Sequence, residues 1–160
     1  MKNKNEFLTK ALHNLDVVGA IIMIVSLFVG NFYAGDPGGG YMYSISYPGY
    51  KLIFNGDYLL GTLFIVVPAV ILVIGRIQGL KQYESLLKFG LPFVTMIFLF
   101  VLKGQLADTG NVGGAASFAI GAWIFLVGNV LALIGGAASF FKFDVEEKVN
   151  EITKGKKGSK

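Results

Sequence analysis

Cysteine is absent from the 160-residue chain, and histidine occurs once, at His13. Disulfides, thiolate chemistry, Cys-ligated zinc and iron–sulfur clusters are thereby excluded, as is bis-histidine haem ligation within one chain. Charge is sparse: 15% of residues are Asp, Glu, Lys or Arg, against 54% hydrophobic. With a mean hydropathy of +0.63, too little polar surface remains to cover a water-facing globule. Charges are missing altogether from four stretches, 17–35, 58–75, 89–102 and 109–141.

Each stretch approaches the roughly 20 residues that a helix needs to cross a bilayer. The sequence therefore predicts an all-α integral membrane protein, a four-helix transmembrane bundle with helices about 15–34, 58–77, 86–104 and 113–142. Residues 1–153 form the single membrane domain, the last helix continuing into the cytosol on the spacing of Phe141, Val145, Val149 and Ile152. Residues 154–160, which hold four lysines and nothing apolar to bury, are expected to be a disordered basic tail drawn to anionic lipid heads.

Orientation follows from the basic residues in the short loops. Twelve of the fourteen Lys and Arg lie in the N-terminal arm, the middle loop and the tail; only Lys51 and Lys103 fall on the other side. Both termini are thus expected in the cytoplasm of a multi-pass plasma-membrane protein. A cleaved signal peptide is disfavoured because Phe32 would occupy a position that wants a small residue.

The segment between Asp36 and Asp57 is the one sizeable exposed loop. Tyr41, Tyr43, Ile45 and Tyr47 alternate onto one face of an extended strand, Pro48-Gly49 breaks it, and Tyr50 to Phe54 is read as a returning strand. A loose β-hairpin-like cap between helices 1 and 2 is expected. Tyr41, Tyr43, Ile45, Tyr47 and Tyr50 form either a recognition surface or an aromatic belt.

Gly114, Gly121, Gly128 and Gly135 recur every seven residues, with Ala132 interleaved. In lipid such small-residue lines let helix backbones approach closely. Gly61, Pro68 and Gly75 offer a matching line on the second helix, and Gly19 and Ser26 on the first. These seams close the bundle or join it to other subunits. The run Gly113-Gly114-Ala115-Ala116-Ser117-Phe118 also recurs from Gly135 to Phe140, near opposite ends of the fourth helix.

No ionisable side chain falls near the centre of any stretch, which disfavours proton relays and charge-coupled transport. Asn129 is the deepest strongly polar residue. It suits a hydrogen bond to a neighbouring helix, or the lining of a path. Ser26, Thr62 and Thr95 are expected to satisfy their hydroxyls on their own helices. Asn14 or Asp16 reads as the cap of the first helix, and Asp36, Asp57 and Asp108 as caps in preference to a cation site. Ser85-Leu86-Leu87-Lys88 matches a hydrolase pattern by chance, without its companion motifs.

The layout is similar to claudin-type tetraspans in topology alone; the paired outer cysteines and outer tryptophan of that family are lacking. Taken together, the residues point to a non-enzymatic membrane subunit without metal or cofactor. Its expected partners are the lipid bilayer and copies of itself or a larger membrane protein, with no nucleic acid. The alternative is a small oligomeric channel or carrier for a neutral or apolar solute near Asn129.

Overall fold

The computed structural model describes residues 14–35, 45–54, 59–108 and 116–142. Gly114, Tyr41, Tyr43, His13, Asp36, Asp57, the first copy of the glycine repeat up to residue 115 and the basic tail lie outside them. In chain order the elements are α1 (Leu15–Ser26), β1 (Asn31–Gly35), β2 (Ile45–Pro48), α2 (Gly49–Phe54), α3 (Leu59–Val73), α4 (Glu84–Asp108), β3 (Ala116–Phe118) and α5 (Ile120–Phe141). Two short 3-10 segments, Ile74–Arg76 and Gln78–Tyr83, join α3 to α4.

The protein is mostly helical, and two of its helices are long and apolar enough to cross a membrane. They are Gln78–Ala107, of 30 residues, and Ile120–Phe141, of 22, each containing an 18-residue stretch of mean hydropathy 2.1. The apolar helices Leu15–Ser26 and Leu60–Arg76 are shorter.

A small sheet, in the order β2-β1-β3 with both pairs antiparallel, closes one end of the helices. Tyr33 of the central strand pairs with Tyr47 on one side and Phe118 on the other. This cap corrects the expected hairpin at four places.

The first helix stops at Ser26 instead of near residue 34. Three tightened turns follow, Leu27 N–H to Ile24, Phe28 N–H to Val25 and Val29 N–H to Ser26. Gly30, at φ +62°, then turns the chain into β1. Phe32 and Tyr33 are both fully buried, on opposite faces of that strand. A strand covered on both faces has no polar alternation, so its apolar run is indistinguishable by pattern from the end of a helix.

Tyr50 to Phe54, expected as the returning strand, belongs to a helix. Gly49, Leu52 and Ile53 are its buried residues, the i, i+3, i+4 spacing of a helical face. The third strand comes instead from the connection ahead of the last helix. That helix begins at Ile120 instead of 113, and it ends at Phe141, where Lys142 adopts a left-handed conformation with φ 54°.

Helix α5 packs against both α1 and α4, and α3 completes the set by packing against α1 and α4. Ala20, Met23, Phe64, Val67, Ile71, Leu99, Phe125 and Ala132 are among the side chains buried between the four. The α1–α5 approach leaves no room for side chains. A Cβ on Gly19 would strike the backbone of Gly128 and Ala132, and one on Gly128 would lie 2.8 Å from the Gly19 carbonyl oxygen.

Overpacking at such a contact costs about 1–3 kcal/mol. Gly19→Ala and Gly128→Ala are each expected to lower stability by that amount, measured as thermal unfolding in detergent. Val127→Ala, on the exposed side of α5, should shift stability by no more than about 0.5 kcal/mol.

Candidate functional site

Three of the heptad glycines face one neighbour. Gly121 meets the carbonyl oxygens of Val29, Asn31 and Ser26, Gly128 meets Gly19 and Met23, and Gly135 meets the backbone of Leu15 and Asp16. Ala132 lies between them against Gly19. Ser26 is fully buried and donates from its hydroxyl to the Met23 carbonyl at 2.7 Å. The α5 stripe and the Gly19–Ser26 line are thus brought together, antiparallel, within one chain.

The remaining small residues have different neighbours. Gly61 is pressed on the backbone of Leu52 in α2, Gly75 sits against the Glu84 carboxylate, and Pro68 is buried in α3. Gly136, which the seven-residue period passes over, lies on the backbone of Lys88 and Phe89 in α4. The doubled Gly135-Gly136 is the signal that marks it: successive helical residues are about 100° apart, so the pair serves two neighbouring helices.

Asn129 follows Gly128 and faces the interior, 1% exposed. Among the described residues neither its Oδ1 nor its Nδ2 has a hydrogen-bond partner, so the expected bond to a neighbouring helix is not made. Other interior hydroxyls are satisfied. Thr95 donates to the Leu91 carbonyl at 2.8 Å, and Tyr33 donates across from β1 to the Leu99 carbonyl in α4 at 2.7 Å. Thr62 departs from expectation: its hydroxyl donates at 3.3 Å to Ile53 of α2, not to its own helix.

At the end of the helices opposite the sheet lies a charge cluster absent from the sequence reading. Lys88 Nζ is 2.8 Å from Asp16 Oδ2 and 2.8 Å from Glu84 Oε1. Asp16 is buried, and its carboxylate pairs with α4 instead of capping α1. Asn14 holds the cap position but makes no side-chain capping hydrogen bond. Gly135, Gly136 and Gly75 all border this cluster, so α1, α4, α5 and the 3-10 turn after α3 meet there. Asp16 and Lys88 are separated by two helices in sequence, and only tertiary packing makes them neighbours.

The sheet end is aromatic. Phe32, Phe64 and Phe125 form a fully buried trio with ring centroids 5.2–5.5 Å apart. Phe118 of β3 bridges Phe100 and Trp123, and Lys103 Nζ stands 4.9 Å from its ring centroid. Ile45 and Tyr47 are half-buried in β2, with Ser46 exposed between them. Tyr50, on α2, is 43% exposed.

No group of three His, Asp or Glu side chains among the described residues is placed to hold a metal ion. Truncating one partner of a buried ion pair leaves a bare charge, at a cost of about 3–5 kcal/mol. Lys88→Met is expected to destabilise the protein near the lower end of that range. The double variant Asp16→Asn with Lys88→Met should recover part of the loss, with coupling read from a thermal-unfolding cycle.

No family model matches this sequence, and comparison with curated proteins and with solved structures finds no match.

Proposed function

We propose that this chain is a non-enzymatic, multi-pass membrane subunit whose helices α1, α3, α4 and α5 form a transmembrane bundle and which assembles with copies of itself or with a larger membrane protein. The observation that carries the reading is the outward face of all four helices. Ile21 and Val25 on α1 with Phe28 in the turn after it, Val66 and Val73 on α3, Phe93, Ile97 and Phe100 on α4, and Trp123, Val127 and Val130 on α5 are exposed. A soluble monomer rarely leaves apolar surface of such extent uncovered. Acyl chains are its natural cover.

Helix α1 has 12 residues, about 18 Å at 1.5 Å per residue, so local thinning of the bilayer or extension by the turn after Ser26 completes that crossing. The basic loops favour placing the Asp16–Lys88–Glu84 end and both termini in the cytoplasm, with the sheet outside. That orientation has a direct test, helped by the lack of native cysteine. Ser46→Cys is expected to react with an impermeant maleimide added to intact cells, and Lys81→Cys only after permeabilisation; the reverse pattern would overturn it.

Assembly is supported by α4. Gly19, Gly61, Gly121, Gly128, Gly135 and Gly136 all touch backbone within the chain, whereas a Cβ on Gly90 or Gly104 would meet nothing within 4 Å. These two glycines stand fourteen positions apart on the exposed side that includes Phe93, Ile97 and Phe100. Two helical heptads put them on one line, where another helix can approach closely.

The purified protein in mild detergent is expected to have the mass of a defined oligomer or to retain a larger partner. Gly90→Leu with Gly104→Leu should reduce it to the monomer mass without lowering its unfolding temperature. A monomeric parent without co-purifying chains would defeat the assembly reading.

A further inference from the structure

Asn129 is the one buried polar side chain among those described whose hydrogen-bonding atoms are left unmatched. Ser26, Thr95 and Tyr33 each donate to a carbonyl within 2.8 Å, and Asp16 pairs with Lys88. A carboxamide has two N–H donors and an oxygen with two lone pairs. Leaving such a group unsatisfied in an interior costs about 1–3 kcal/mol per lost partner. Leucine fills a similar volume without that penalty.

A second polar group stands level with it. Helices α4 and α5 run antiparallel: Gly136 lies on Lys88 at one end, and Phe118 joins Phe100 to Trp123 at the other. Two turns from Gly136 toward the sheet is Asn129, and two turns from Lys88 in the same direction is Thr95, itself fully buried. The Thr95 proton is engaged by Leu91, but its oxygen keeps lone pairs able to accept.

We propose that Asn129 and Thr95 form an interior site holding one small neutral molecule that both donates and accepts hydrogen bonds, water being the smallest that qualifies. The inference rests on the packing of the helices and not on assembly with other chains. Neutrality follows from the surroundings. The Asp16–Lys88 pair borders Gly135 and Gly136, six to seven residues or about 10 Å along α5, and no charged side chain in the described helices is buried nearer to that level. An ion would be desolvated there without a counter-charge.

Small size follows from the backbone contact of Gly128 on Gly19 beside it. The molecule is resident and not in transit. One turn from Asn129 toward the sheet, Phe125 packs on Phe32 and Phe64 with centroids 5.3 and 5.2 Å away, all three fully buried.

The test combines a substitution with a measurement on the unaltered chain. If the site is occupied, Asn129→Leu loses satisfied hydrogen bonds and the unfolding temperature in detergent falls by about 3 °C or more. An unchanged or raised temperature overturns the proposal. Proton-detected NMR of the isotopically labelled wild-type protein in nanodiscs remains decisive if that variant fails to fold. A cross-peak between the Asn129 side-chain amide and water identifies water as the occupant. A shift of that amide on titration with urea or formamide, without the water peak, identifies a small amide-like solute. The absence of both overturns the proposal.

Discussion

Where Gly19 of α1 meets Gly128 and Ala132 of α5, backbone lies on backbone with no side chain between. Close approach multiplies dispersion contacts that are individually worth only about 0.1–0.2 kcal/mol, and helices gain from it whether water or lipid surrounds them. The contact also sets the antiparallel register of α1 on α5. From that register follow Gly121 against the turn after α1 and Gly135 against Asp16. A side chain at any of these positions would push α1 away and carry β1, the strand it leads into, with it.

The two ends of the molecule solve different problems. At the sheet end, Gly30 reverses the chain so that β1 sinks between α3, α4 and α5, placing Phe32 on Phe64 and Phe125 and the Tyr33 hydroxyl on the α4 backbone. Strand β3 then covers the other edge of β1, with Ser117 donating to the Ala34 carbonyl. The opposite end has a charged closure. Lys88 bridges a buried aspartate and an adjacent glutamate, and the glycines around the cluster let three helices and the 3-10 turn after α3 converge on it. Aromatic packing locks one end and paired charge the other, while the middle holds an amide that none of the described residues satisfies.

Much of this was legible in particular residues. The period of Gly121, Gly128 and Gly135 marks the face of α5 that touches another helix, because seven residues return to nearly the same angle. What the period cannot tell is which helix it meets, and the partner proved to be α1 of the same chain. The cap was legible only in part. Ile45 to Pro48 is a strand, as its alternation suggests, but Asn31–Gly35 read as helix and Tyr50 to Phe54 as strand. The first is buried on both faces, and the second has its apolar pair side by side, so neither shows a period-two pattern.

By itself the sequence determined where the uncharged apolar stretches lie, that thiol chemistry is impossible, and that the interior has one deep amide, since these depend on composition and local spacing. Tertiary structure alone decided that Asp16 reaches Lys88, that residues 31–35 and 116–118 share a sheet, and that Asn129 finds no partner among the described residues. Each of these is a relation between side chains or strands far apart in the chain. Such relations are set by how closely the helix backbones can approach, and that distance is a property of pairs of helices, not of any one segment.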